Sequence, residues 1–223
     1  TRLTQEKHRR LDDLVRRGIQ VPILVRFTDI LEHRVRILAG AFKSAIKEYE
    51  FKGKYRGVYP IKVNQQRHLV EDYVRFCGDY NMGLEAGSKP ELLIVLALMD
   101  DPDALIICNG YKDGEFIETA LMAQKLGRNP IIVVEKFSEF KLVCDTSDRV
   151  GIRPVIGMRA KLTSKGAGRW EGSAGDRAKF GLTVGEMVEG VEYLKQRGML
   201  DCMQLLHFHI GSQVSASRSI KSA

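Results

Sequence analysis

Lys62 stands between two apolar residues in the run Tyr59-Pro60-Ile61-Lys62-Val63-Asn64. The run reads as the end of a short extended segment, so the amine leaves the chain where a strand hands over to its loop. In barrels of parallel strands that is the edge where catalytic side chains collect. The same position also suits an ordinary lysine whose stem packs and whose head reaches water. Other apolar runs end in the same way, in Glu85-Ala86-Gly87-Ser88, Asn109-Gly110-Tyr111-Lys112, Arg159-Ala160-Lys161 and His209-Ile210-Gly211-Ser212. Gathered at one mouth, these junctions supply a lysine, a carboxylate, an arginine, a histidine and two serines, which is an active-site inventory. His207 and His209 face the same way if they lie on a strand. The pair suits a metal site, a purely structural role, or one functional histidine. Glu91 reads first as the glutamate of a capping box that begins at Ser88. No Walker loop, HExxH or serine nucleophile elbow occurs.

The elements that must position these residues follow from periodicity. Residues 1–20 read as a lead-in, mostly an amphipathic helix stopped by Gly18. Val21–Phe27 reads as a strand with Pro22 at its start. Leu31, Val35, Leu38, Phe42, Ile46 and Tyr49 recur at helical spacing. The same unit then repeats. Strands are expected at Gly57–Ile61, Met82–Leu84, Ala104–Cys108, Ile131–Val134, Val155–Met158 and Met203–Ile210. Helices are expected between them, with capping boxes at Ser88/Glu91 and Thr183/Glu186. Seven short apolar strands alternating with helices argue for a parallel sheet covered by helices. The expected fold is therefore α/β, a TIM-type (β/α)₈ barrel short of its last unit or two, spanning residues 21–223. A doubly wound open sheet is the alternative, weakened because no GxGxxG follows the first strand. Seven strands do not close an eight-stranded barrel, so the chain reads as part of a longer protein. The stretch from Lys161 to Gly181, glycine-rich, basic and holding Trp170, is longer than an ordinary connection. It suits a lid, a subunit contact or a surface loop.

Composition narrows the function class. The chain has 223 residues, 44% apolar and 28% charged, as in a globular domain. No apolar run approaches the roughly 20 residues of a membrane span. The net charge of +7 comes from 35 basic and 28 acidic residues. The densest basic group, Lys7 to Arg17, is mixed with Glu6, Asp12 and Asp13, and reads as a solvated helix rather than a nucleic-acid arm. Cys77, Cys108, Cys144 and Cys202 form no CxxC, which fits reduced, buried thiols in a cytoplasmic protein.

Five blocks, in order, carry a resemblance. They are Tyr59-Pro60-Ile61-Lys62-Val63-Asn64-Gln65, Gly83-Leu84-Glu85-Ala86-Gly87-Ser88-Lys89, Cys108-Asn109-Gly110-Tyr111-Lys112-Asp113, Lys179-Phe180-Gly181 and Leu205 to Gln213. The chain from about Val21 to Gln213 resembles the biosynthetic arginine decarboxylases, pyridoxal-phosphate enzymes with an alanine-racemase-like barrel. The resemblance implies that Lys62 holds pyridoxal 5'-phosphate as a Schiff base, that His209 stacks on its ring and that Ser212 helps hold its phosphate. It places Glu85, Glu91 and Arg159 among the cofactor-site side chains. It implies magnesium, for which no ligand cluster is visible, and a homo-oligomer. The implied reaction turns L-arginine into agmatine and carbon dioxide in a polyamine route.

The family's later phosphate-binding glycine run, its partner for the pyridine nitrogen and its C-terminal β-domain have no counterpart in this sequence. A sibling decarboxylase acting on ornithine, lysine or diaminopimelate, a non-catalytic pyridoxal-phosphate barrel, and a metal hydrolase built on His207 and His209 remain open. Expressed alone, the chain is expected to aggregate through its open strand edges. It is also expected to release no carbon dioxide from arginine with added pyridoxal phosphate. A monomeric, cooperatively unfolding chain that decarboxylates arginine would contradict this.

Overall fold

The computed structural model describes residues 11–20, 22–162, 179–211 and 217–221. Six strands form one sheet: β1 (Val58–Pro60), β2 (Gly83–Ala86), β3 (Leu105–Cys108), β4 (Asn129–Val134), β5 (Ile156–Ala160) and β6 (Met203–Phe208). They lie side by side in chain order and every neighbouring pair is parallel. The helices are α1 (Thr28–Glu48), α2 (Arg67–Cys77), α3 (Lys89–Leu98), α4 (Gly114–Lys125), α5 (Phe137–Val150), α6 (Val184–Gln196) and the short α7 (Ser217–Lys221). A parallel neighbour is reached only by a crossover, and here a helix intervenes between each strand and the next.

Alternation along the strands sorts the core into two layers. Leu84, Ala86, Ile106, Cys108, Ile132, Val134, Ile156 and Met158 point outward and are buried in one cluster with helical residues such as Leu92, Phe116, Leu121, Phe140 and Leu194. Ile107, Ile131 and Val133 point the other way and pack with Val58, Leu105, Val155 and Leu205. A sheet that is apolar on both faces, with helices on one, is the wall of a barrel. At the ends of the strands the inner face changes from apolar to charged, which is where the site lies.

The expected barrel architecture stands, but with six strands rather than seven among the described residues. Residues 22–27 are not a strand. Leu24 is 75% exposed and Val25 37% exposed, so this apolar run covers no sheet. A strand exists only through its ladder, and periodicity alone does not supply a neighbour. The segment is instead an irregular lead into α1, and β1, which precedes Lys62, is the first strand. The stripe expected on the α1 helix is also only partly used. Val35 is buried, while Leu38 and Phe42 are exposed and Phe42 stacks on Tyr55 at 3.8 Å between ring centroids. Of the lead-in helix, residues 11–16 are helical.

Helix starts follow their expected chemistry. Ser88 Oγ accepts the Glu91 N–H at 3.4 Å, and Asp113 Oδ1 accepts the Phe116 N–H at 2.8 Å. Thr183 and Glu186 form a complete capping box. At α3 the box is incomplete, because Glu91 Oε2 accepts from the Gly87 N–H at 2.7 Å rather than reaching back to Ser88. Glu91 therefore ties the loop after β2 to its helix.

Gly83 sits where two strands approach closely. A Cβ there would lie 2.0 Å from the backbone oxygen of Leu105 on β3. Backbone cannot yield as a side-chain tip can, so Gly83→Ala is expected to destabilise the fold by about 2 kcal/mol or more. Urea denaturation of the full-length protein reads this, and a midpoint equal to that of the unchanged protein would contradict it.

Candidate cofactor cleft

Lys62 lies on a tight turn, Ile61–Val63, immediately after β1 rather than within the strand. Ile61 is fully buried and anchors the turn, while Tyr59 donates its hydroxyl to the Asn64 carbonyl at 3.1 Å. The amine thus projects from a fixed backbone. Its nearest acidic group is Glu85 of β2, with Nζ 3.9 Å from Oε1. Glu85 is inward-facing, opposite Pro60 across the ladder.

The remaining inner positions carry the rest of the site. Arg159 of β5 is in register with His207 of β6. Glu135, which follows β4, continues the inward row of Ile131 and Val133. Its two carboxylate oxygens both accept from Arg159 Nη1 at 3.1 Å, and Oε1 also accepts the Gly110 N–H at 2.6 Å. Gly110 has φ +80°, and a Cβ there would meet the Gly87 oxygen at 2.4 Å, so only glycine fits this turn. These groups, with Lys62, Glu85, Glu91 and His209, line one cleft of about 620 Å³.

Behind the wall Lys112 and Glu139 form a fully enclosed ion pair at 3.3 Å. Burial pulls the Lys112 ammonium below the ordinary lysine range, and the charges of Glu139 and Glu135 oppose that pull. On the cleft rim Tyr111 donates to the Lys179 carbonyl at 2.5 Å and packs on Phe180, with ring centroids 5.3 Å apart. Phe180 also lies under the Arg159 guanidinium at 5.3 Å.

The two histidines differ in environment. Burial, with Arg159 beside it, pushes His207 down to about 4, so it is neutral near pH 7. His209 is pulled down more gently, by burial and then by Arg159 and Lys62. Its Nδ1 accepts the Gly211 N–H at 3.0 Å, which puts the ring proton on Nε2. Among the described residues no group of three or more His, Cys, Asp or Glu is placed to hold a metal ion. Among the described residues the metal-hydrolase reading of the pair finds no third ligand.

The structure brings together Lys62, Glu85, Glu91, Arg159 and His209 from the sequence reading. Ser212, and most of the Lys161–Gly181 stretch with Trp170, lie outside the described residues. Sequence reasoning missed Glu135 and Glu139, and noted Phe180 only within the Lys179-Phe180-Gly181 block, without a role. Extending the alternation of Ile131 and Val133 by one step would have found Glu135; Glu139 carries no comparable signal.

Comparison with known proteins agrees with this geometry. Residues 36–223 match the family "pyridoxal-dependent decarboxylase, pyridoxal binding domain", and the chain belongs to that family. It is 57% identical, over 96% of its length, to 33% of a biosynthetic arginine decarboxylase of Gloeobacter violaceus. It is 50% identical, over 96% of its length, to 34% of the one of Phocaeicola vulgatus. Among solved structures, the biosynthetic arginine decarboxylase of Campylobacter jejuni superposes with a TM-score of 0.86 at 35% identity, covering 96% of this chain and 34% of that one. A diaminopimelate decarboxylase of Helicobacter pylori, at a TM-score of 0.69 and 19% identity over 94% of this chain and 49% of that one, shares the fold. The chain spans about a third of the length of the curated relatives it matches.

The family's group is pyridoxal phosphate, and the cleft fits it. It offers an amine for an aldehyde, a guanidinium for an anionic oxygen and a flat imidazole for a ring. In the described residues no helix is long and apolar enough to cross a membrane.

His207 gives the cleft a pH signature. Its folded value of about 4 lies below its ordinary 6.5, so the unfolded chain binds the proton first. Stability is expected to be full above pH 6.5 and to fall as pH drops towards 4, where the folded imidazole also protonates. His207→Gln, which takes up no proton in this range, should flatten that part of the curve. Denaturation midpoints measured across the window check this, and an equal slope in both proteins would count against it.

Proposed function

We propose that this chain is the cofactor-binding barrel segment of a pyridoxal-phosphate-dependent arginine decarboxylase, which converts L-arginine to agmatine and carbon dioxide for polyamine synthesis. The observation that carries the reading is the high identity to arginine decarboxylases along nearly the whole chain, with Lys62, Glu85, Arg159 and His209 lining one cleft. The activity is proposed for the protein at the length of those relatives.

When bound, pyridoxal phosphate supplies the electron sink that lets a carboxyl group leave an amino acid as carbon dioxide. The chain's own residues prepare and hold that group. Lys62 is the nucleophile that would take the aldehyde, and it must first lose its proton, because an ammonium has no free electron pair. Glu85, 3.9 Å away, is the nearest carboxylate to receive it. His209 is held in one tautomer by Gly211 and offers its ring face to orient the cofactor rather than to break bonds. Arg159 offers positive charge to an anionic oxygen. Glu91 holds the Gly87 amide and so shapes the wall beside the cofactor. Ser212 is proposed to help hold the phosphate on the family resemblance alone.

Magnesium has the same support only, and no cluster of three ligating side chains among the described residues offers it a place. The resemblance also supports a homo-oligomer. Four buried free thiols support a reducing, cytoplasmic setting. An ornithine, lysine or diaminopimelate substrate would use the same cleft, and the identity to arginine decarboxylases favours arginine.

Two measurements on the full-length protein test this. Borohydride reduction followed by peptide mapping should place the pyridoxyl group on Lys62, and a label on another lysine would sink the assignment. His209→Ala should release cofactor more readily and turn over more slowly than the unchanged protein. Unaltered retention and rate would remove His209 from the site.

A further inference from the structure

Glu135 is fully shielded from solvent, yet it carries a charge at the cleft wall. Such a group persists only when paired and hydrogen-bonded. Its partners come from two different strands' ends: the Gly110 N–H follows β3, and the Arg159 guanidinium rises from β5. Both bonds to Arg159 come from Nη1. Among the described residues nothing accepts from Nη2 or Nε, and Arg159 lines the cleft.

Glu135 is itself held in place. Glu139 accepts its backbone N–H at 2.8 Å and the Lys112 N–H at 3.0 Å. The Lys112 ammonium closes the set by pairing with Glu139 at 3.3 Å and donating to the Gly110 carbonyl. Two cations and two carboxylates thus neutralise one another across three strand ends. The loop from Gly110 to Lys112 is gripped by both carboxylates, and its turn presses on the Gly87 carbonyl.

We propose that Glu135 is a positioning residue for the cofactor: it holds Arg159 by one nitrogen and Gly110 by its amide, so that the free side of the guanidinium meets an anionic oxygen of pyridoxal phosphate. The inference rests on the reading of this cleft as the cofactor site. Glu135 does not touch the cofactor and acts through Arg159. A merely structural role would lower stability without linking the two residues in cofactor affinity.

The test is a double-mutant cycle on the full-length protein stripped of cofactor, titrated with pyridoxal 5'-phosphate and followed by absorbance. Glu135→Gln keeps the shape and removes the charge, and Arg159→Gln removes the guanidinium. Each is expected to raise the dissociation constant about tenfold or more, the scale of one charge-assisted hydrogen bond. The double variant should bind no more weakly than Arg159→Gln alone, because Glu135 reaches the cofactor only through Arg159 and a glutamine oxygen still accepts the Gly110 N–H. Additive losses, or Glu135→Gln binding as tightly as the unchanged protein, would overturn the proposal. Arg159→Gln binding normally would overturn it as well. Uptake of no cofactor by the unchanged protein would instead sink the site reading, and the proposal with it. If circular dichroism shows that Glu135→Gln does not fold, Glu135→Asp replaces it in the cycle. That variant keeps the charge but shortens the reach to two partners, and the same outcomes decide.

Discussion

Parallel strands paired in register present alternate residues to the same side, and this constraint places Glu85, Arg159 and His207 in the cleft, with Glu135 and His209 just past their strand ends. Glu85, Arg159, His207 and His209 are inward positions, and Glu135 extends an inward row past the end of its strand. On β2 and β5 the outward neighbours Leu84, Ala86 and Met158 are buried under the helices, whereas Leu206 and Phe208, beside His207 on β6, are exposed. A slip of one residue in β2 or β5 would exchange the two sets. It would put a carboxylate or guanidinium into the helix–sheet core and an aliphatic side chain at the cleft. The greasy outer layer therefore fixes the chemistry of the inner one.

Concentrating charge in this way has a cost, which the cleft meets by pairing. Glu135 and Glu139 are each enclosed, and each accepts donors from backbone as well as from a cation. Removing one partner from such a set costs about 3–5 kcal/mol, because it strands an unpaired charge. The network adds specificity of place rather than simple stability. It ties the loops after β3 and β4 to β5, and so makes the cleft wall one body.

Most of the layout was legible in the sequence. Short β-branched runs separated by amphipathic helices announced a parallel α/β barrel, and the residues at the run ends named Lys62, Glu85, Arg159 and His209. The failures have physical causes. Residues 22–27 have the composition of a strand, but pairing is a property of neighbours and not of composition. Glu91 has the spacing of a capping box, and its carboxylate found a nearer donor at Gly87. Glu139 sits inside a helix as an ordinary glutamate would. Only the folded contact with Lys112 and the Glu135 amide shows that it is buried and paired. Long-range pairing of charges leaves no periodic trace in one sequence.

After β5 the chain leaves the barrel and comes back at almost the same place. The Leu182 N–H bonds to the Arg159 carbonyl at 2.7 Å, and the Lys161 N–H to the Leu182 carbonyl at 2.9 Å, so a small clasp joins the two ends. Gly181, at φ +93°, makes the turn into that clasp. The described ends of the intervening stretch are fastened to the barrel there, and Lys179 and Phe180 also meet Tyr111 and Arg159. Closing a longer loop adds little entropy, about 0.6 kcal/mol for each doubling. Such a clasp is an insertion port: a change of length between Leu162 and Lys179 need not re-register β5 or move Arg159, because the backbone bonds that fasten its ends stay the same. The length of chain beside the cleft can change there while β5 and its inward row stay in register.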